Sequence, residues 1–242
     1  MNVPTNIPWE ESGWERLAPG VGRLRLPGWD ATAGLAVGTD AALLYDTGST
    51  LREGAGIRAR MPLGGRRVTH IALSHPHFDH VLGTAAFAGT EVYGAAGVAE
   101  LLTGGTTGLY EDAVRHGVAA GEAAEAVGLL VAPRHAVSGE VTLDLGGLRV
   151  LLVNAGPGHT AHDLAMLVPG SPPVVFCGDL VEESGEPQAG PDALPARWPA
   201  ALDRLLALGG EDALYVPGHG AVVDAAFVRA QRNALAVRAK ES

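Results

Sequence analysis

Cysteine occurs once in 242 residues, at Cys177, so no disulfide can form within the chain and the thiol says nothing about redox compartment. Lysine also occurs once, at Lys240. The 16 arginines are scattered, Arg66-Arg67 being the densest pair, and the formal net charge is −10. Without a basic stripe, nucleic acid is not expected as a partner. No apolar stretch approaches the roughly 18 residues a membrane span needs, and residues 1–14 have neither a basic n-region nor an apolar h-region. The expectation is a soluble, cytoplasmic protein with no membrane partner. Hydrophobic residues make up 47% of the chain, enough to bury a full core, and a single domain over residues 1–242 is expected.

What is present is histidine, concentrated in His75-Pro76-His77-Phe78-Asp79-His80 directly after the apolar run Val68 to Leu73. That run reads as a buried strand, and Pro76, which lacks an N–H and restricts the residue before it, ends the strand in a loop. An extended loop puts His75, His77 and Asp79 on one side, and a helix starting at His80 brings a third imidazole to the same volume. So many polar groups beside a core need compensation. A divalent metal supplies it, because zinc accepts neutral imidazole nitrogen and carboxylate oxygen.

The remainder of the chain supplies more residues of this kind. Val21 to Leu26, Thr32 to Val37 and Ala41 to Tyr45 are short strands separated by turn residues, the first two forming a hairpin with Trp29 at its tip. Trp29 is either a core residue or a flap over a site. Asp46-Thr47-Gly48 closes the third strand, and Leu51 to Arg60 is helical. After the histidine motif come helical patterns at His80 to Phe87 and Ala95 to Leu102, a strand at Glu91 to Tyr93, and a helix from Leu109 to Val127 that tolerates Gly117 and Gly121. Val141 to Leu145 and Leu148 to Val153 flank Gly146-Gly147 as a hairpin, which runs into Gly158-His159-Thr160. Leu164 to Val168 pairs with Val174 to Cys177, ending in Gly178-Asp179. Ala213 to Val216 runs into Pro217-Gly218-His219-Gly220 between helices Arg197 to Leu208 and Val222 to Ala239.

Both halves therefore show strands followed by helices, which suits two mixed sheets packed face to face with helices outside; pattern alone also admits a three-layer α/β protein. The motifs HxHxDH, GHT, GD and PGHG, in that order from His75 to His219, resemble those of the metallo-β-lactamase superfamily. The resemblance covers roughly Val21 to His219 and implies the αββα four-layer sandwich. It implies one metal held by His75, His77 and His159, a second held by Asp79, His80 and His219, and Asp179 as the bridge. Asp46 then lies beside the site and orients the histidine loop. Two zinc ions are the expected cofactors, iron or manganese suiting the same donors.

Two cations a few ångströms apart would polarise a substrate carbonyl and lower the pKa of a shared, bridging water toward ~7, which makes hydrolysis the natural reaction. Asp79 is the expected catalytic carboxylate, steering the water and protonating the leaving group. Three departures bear on the branch. True β-lactamases usually carry Cys or Ser in place of Asp179, glyoxalase II enzymes add a helical C-terminal domain where this sequence has only residues 220–242, and RNA-processing members need an arm and basic surface. The segment Leu180 to Trp198 carries Glu182, Glu183, Glu186 and Asp192 against the single Arg197, so a strongly anionic substrate would be repelled. A neutral or weakly charged small-molecule ester, lactone, thioester or amide is expected, with Trp29, Glu182 and Arg197 as substrate-facing candidates. The alternative is a mononuclear iron enzyme resembling the persulfide dioxygenases, using His75, His159 and Asp179. A non-catalytic metal-binding protein is the third reading. His162 and Asp163 read as loop-structuring, His116 as a surface or packing histidine that a neighbouring helix could offer to substrate, and His135 has no assigned role.

Overall fold

The computed structural model describes residues 7–241; residues 1–6 and Ser242, the ends of the expected domain, lie outside the described residues. Seven strands form the first sheet in chain order: β1 (Glu15–Ala18), β2 (Val21–Arg25), β3 (Thr32–Val37), β4 (Ala42–Tyr45), β5 (Val68–Ala72), β6 (Glu91–Ala95) and β7 (His135–Val137). The first four are an antiparallel meander and the last four run parallel. Parallel neighbours need crossovers, and helices provide them. These are α1 (Leu51–Arg60), then the short α2 (Phe78–Val81) with a 3₁₀ turn at Thr84–Phe87, then α3 (Val98–Gly104), α4 (Thr107–Arg115) and α5 (Ala120–Gly128).

The second sheet has the order β12-β11-β10-β9-β8, from β8 (Glu140–Asp144), β9 (Arg149–Asn154), β10 (Leu164–Val168), β11 (Val174–Glu182) and β12 (Leu214–His219). Helix α6 (Trp198–Gly209) crosses between the parallel pair β11 and β12, and α7 (Ala225–Glu241) packs on α6. Strand alternation divides β11 between two cores. Val174 and Phe176 join the apolar layer between the sheets, whereas Val175 and Cys177 join the outer layer under α6 with Trp198 and Leu205. Phe176 lies so close to β3 that a Cβ at Gly34 would come within 2.5 Å of its ring, which explains the glycine there. The result is the αββα sandwich expected from the motifs.

Two buried hydrogen bonds cross from one sheet to the other beside the strand ends. Tyr45 Oη donates to the Leu164 carbonyl at 2.6 Å, and the Leu164 N–H donates to the Ser74 carbonyl at 2.7 Å. They hold the C-terminal ends of β4 and β5 against the start of β10. Helix α1 is pinned at the same edge: Thr50 caps it by accepting the Glu53 N–H, while the Glu53 carboxylate accepts the Ser49 N–H and hydroxyl.

The structure differs from the sequence reading in several places. Strands β1 and β7, both edge strands of three or four residues, were not anticipated. The helix expected over Leu109 to Val127 is two, α4 and α5, parted at Gly117, whose φ of +98° belongs to the left-handed region. Strand β11 does not stop at Cys177 but runs through Gly178-Asp179 to Glu182, because β12 continues beside it to His219.

Candidate metal centre

The histidine motif leaves β5 at its C-terminal end, and α2 starts within it, so His75, His77, Asp79 and His80 reach one edge of the first sheet. His159 enters from the loop between β9 and β10, Asp179 from β11 and His219 from the last residue of β12. One donor atom from each of His75, His77, His159 and Asp179 lies within 4.8 Å of the others; Asp79, His80 and His219 form a second such group. Asp179 lies between the two. Its Oδ2 is 3.6 Å from His75 Nε2, 3.5 Å from His159 Nε2 and 3.3 Å from His219 Nε2, and its Oδ1 is 3.2 Å from His80 Nε2. All seven residues that the sequence singled out are thus together.

Each imidazole is held by one nitrogen and turns the other inward. His75 Nδ1 pairs with Ser74 Oγ at 2.9 Å, His77 Nε2 with Asp192 at 3.0 Å and His80 Nδ1 with Asp46 at 2.9 Å. His159 Nδ1 donates to the Gln188 carbonyl at 3.1 Å and His219 Nδ1 to the Trp29 carbonyl at 2.7 Å. Such partners fix the tautomer and orientation a ligand imidazole needs. Asp46 also accepts the Ser74 N–H at 2.7 Å, tying the end of β4 to the histidine loop.

His77 Nδ1 and His159 Nε2 pair with each other at 3.0 Å, but two inward nitrogens and one carboxylate oxygen are left wanting. His75 Nε2, His80 Nε2 and Asp179 Oδ1 are buried without a hydrogen-bond partner, His80 and Asp179 being close but misaligned. Unpaired buried polar atoms are costly, and three converging on one point, in a set of five imidazoles and two carboxylates, fit the donor chemistry of divalent cations.

Charge is distributed unevenly across the site. Burial, reinforced by His80, pushes His75 well below the usual histidine range, and burial brings His159 down to about 4, so both rings are neutral donors. Burial also opposes protonation of His80 and His219, but Asp179 and Asp79 outweigh it, holding His80 well up and His219 up at about 12. Asp179 is held well below the carboxylate range by His80 and His219 against its burial, and Asp79 is lowered by the same two rings. Asp46 is raised by burial, His80 only partly offsetting it.

A cleft of about 990 Å³ opens over the cluster. Trp29, from the β2–β3 hairpin, is half-buried and meets Phe78 edge-on at 5.3 Å, and Leu101, Leu102 and Leu109 extend this apolar wall. Trp29 is therefore both packed and cleft-facing. His116 ends α4 stacked on Phe78 at 5.5 Å and lines the same cleft, while His162 Nδ1 donates to the Ala96 carbonyl and His135 pairs with Glu91, neither lining the cleft. Glu182 lines the opposite wall.

Two expectations for this wall are corrected. Arg197 is exposed at the start of α6 and does not line the cleft; Arg115 is the arginine that does, paired with Asp112 at 3.0 Å. Glu183 turns away to accept the Ala221 N–H at 2.6 Å. Sequence reasoning missed the roles of Asp192, Gln188 and Ser74; Asp192 was visible only as a charge.

A four-layer αββα sandwich carrying a histidine and carboxylate cluster at one edge of both sheets defines a class of metal-site proteins. The chain belongs to the metallo-beta-lactamase superfamily, whose family model matches residues 26–219. It is 28% identical over 166 residues to a hydroxyacylglutathione hydrolase of Dechloromonas aromatica, an alignment covering 67% of this chain and 49% of the relative. It is 44% identical over 61 residues to the hydroxyacylglutathione hydrolase of Cupriavidus metallidurans, covering 24% of this chain and 23% of that one. The chain thus spans less than half the length of either curated relative. Among solved structures, TMB-1 superimposes with a TM-score of 0.68 at 22% identity (94% of this chain, 97% of that one), and the DIM-1 metallo-beta-lactamase with 0.70 at 16% (93% and 97%). These likenesses bear on the fold. Among the described residues, no helix is long and apolar enough to cross a membrane.

Proposed function

We propose that the protein is a dinuclear metal-dependent hydrolase, with zinc as the expected ion, acting on a neutral or weakly charged small ester, lactone, thioester or amide. The observation that carries this reading is the convergence of two donor groups on Asp179, with every imidazole anchored at its outer nitrogen. His75, His77 and His159 would hold one ion, Asp79, His80 and His219 the other, and Asp179 both. When bound, the ions supply charge stabilisation for a polarised carbonyl and an acidified water at neutral pH. The chain does the rest. Asp79, 3.3 Å from His219 Nε2 and facing the cleft, is placed to hold the attacking water's proton and pass it to the leaving group.

The cleft supports the choice of substrate. Its apolar wall of Trp29, Phe78 and three leucines suits a hydrocarbon or aromatic acyl part. Its one arginine, Arg115, is already paired with Asp112, which leaves no free cation for an anionic substrate among the described lining residues. The presence of the second group, Asp79, His80 and His219, favours a two-ion hydrolase over a single-iron dioxygenase. The test is metal analysis of protein purified without added metal, with rates on a panel of esters, lactones, thioesters and amides. Two ions per chain with hydrolysis is the expected result; one iron with sulfur oxidation would overturn it.

A further inference from the structure

Strand β11 carries one more carboxylate into the site than the motifs account for. In a regular strand, residues three apart point to opposite faces, so Glu182 should lie away from Asp179. Here Gly178 opposes Pro217 and Glu182 opposes His219, so four steps along β11 match two along β12. This bulge sends Leu180 and Val181 together into the outer core and returns Glu182 to the cleft side. Gln231 of α7 clamps it, accepting the Glu182 N–H at 3.1 Å and donating to the Leu180 carbonyl at 2.8 Å.

Glu182 is only 7% exposed, and the Ser184 hydroxyl, at 2.7 Å, is the hydrogen-bond donor to its carboxylate among the described residues. A carboxylate oxygen of Glu182 lies within 4.8 Å of donor atoms of Asp179 and His219, and Asp179 carries a buried, unpartnered Oδ1. Resting on the dinuclear reading above, we infer that Glu182 is an additional oxygen donor to the Asp79–His80–His219 ion. That position then offers three carboxylates to two imidazoles, whereas the other offers three imidazoles to one carboxylate. Carboxylate-rich sets suit manganese and imidazole-rich sets suit zinc, so the two positions differ in metal preference: zinc at His75–His77–His159 and an oxygen-preferring cation such as Mn²⁺ beside Glu182.

The experiment loads chelator-stripped full-length protein with one equivalent of Zn²⁺. It then measures Mn²⁺ affinity by the loss of free-Mn²⁺ paramagnetic resonance signal, in wild type, Glu182→Gln and Glu182→Asp, with thermal unfolding of each stripped protein as the check on folding. The glutamine variant keeps the shape and the Ser184 contact. It should weaken Mn²⁺ binding by about 10–100-fold and leave Zn²⁺ affinity unchanged, the aspartate variant recovering part of the loss. Equal Mn²⁺ affinity in wild type and a folded Glu182→Gln overturns the inference while zinc retention keeps the hydrolase reading. A folded wild type that binds neither ion overturns both.

Discussion

Oδ2 of Asp192 lies 3.0 Å from Nε2 of His77, across 115 residues of sequence. The same loop sends the Gln188 carbonyl to His159, so two of the three imidazoles of one donor group are oriented by residues 183–197 and not by the sheets that carry the rings. The loop and the cluster are therefore coupled. Replacing Asp192 with Ala should weaken the ion held by His75, His77 and His159 by about 10–100-fold, with the apo protein's unfolding midpoint nearly unchanged because Asp192 is exposed. Chelator competition measures this; an unaltered affinity would show that the loop merely rests on His77.

Asp79→Asn keeps the shape of the carboxylate and removes its charge from between His80 and His219, whose Nε2 atoms are 3.6 and 3.3 Å away. The variant should lose affinity for one ion and about 10²–10⁴-fold in kcat. Stoichiometry and turnover are to be read on one sample. Two ions bound with normal turnover would remove Asp79 from the chemistry.

Trp29 contributes to the site in two separable ways, its carbonyl to His219 and its ring to the cleft wall. Trp29→Ala deletes the ring alone. Metal content should be unchanged while kcat/KM falls about tenfold for bulky apolar acyl substrates and little for acetyl ones, since apolar area buried on binding is worth about 25 cal/mol per Å². A uniform loss across the series would mean that the ring serves packing and not substrate.

Asp163 gives a pH dependence to be read on the stripped protein. Burial raises its carboxyl to about 7 against hydrogen bonds from the Thr160 N–H and hydroxyl. The folded state then binds a proton more tightly than the unfolded chain, so this group's stabilising contribution is full below about pH 4 and is lost as pH rises to about 7. Wild-type stability relative to Asp163→Asn should fall across that window by as much as about 1.4 kcal/mol per pH unit, measured by urea unfolding of stripped protein. A rising difference would reverse the assignment.

The seven central residues could be read from the chain because each stands close behind an apolar run, where turn residues and a polar side chain stand out against the residues before them. Asp46, at the end of β4, reads alone as part of an ordinary turn, and only the family resemblance gave it a role. The partners that steer the rings were not legible. Gln188 and Trp29 act through carbonyls, which carry no residue signature, and Asp192 reaches His77 only through tertiary packing. Glu182 was named as a substrate-facing charge and not as a member of the cluster, because nothing in Gly178-Asp179-Leu180-Val181 announces that β12 will continue alongside and force a bulge. Arg197 was named because it lies within the acidic segment in sequence, whereas α4 brings Arg115, which the sequence reading did not name, to the cleft.

The cluster draws four side chains from the loop after β5 and three from the second sheet, beside the two hydrogen bonds that already join the sheets at Leu164. An ion seated there is a rivet through both halves of the sandwich, and anything bound only to the folded state adds RT ln(1 + [L]/Kd) to stability, about 2.7 kcal/mol at a hundredfold excess over Kd. On the dinuclear reading proposed above, the melting temperature of this protein should therefore rise with the free-cation level in the buffer.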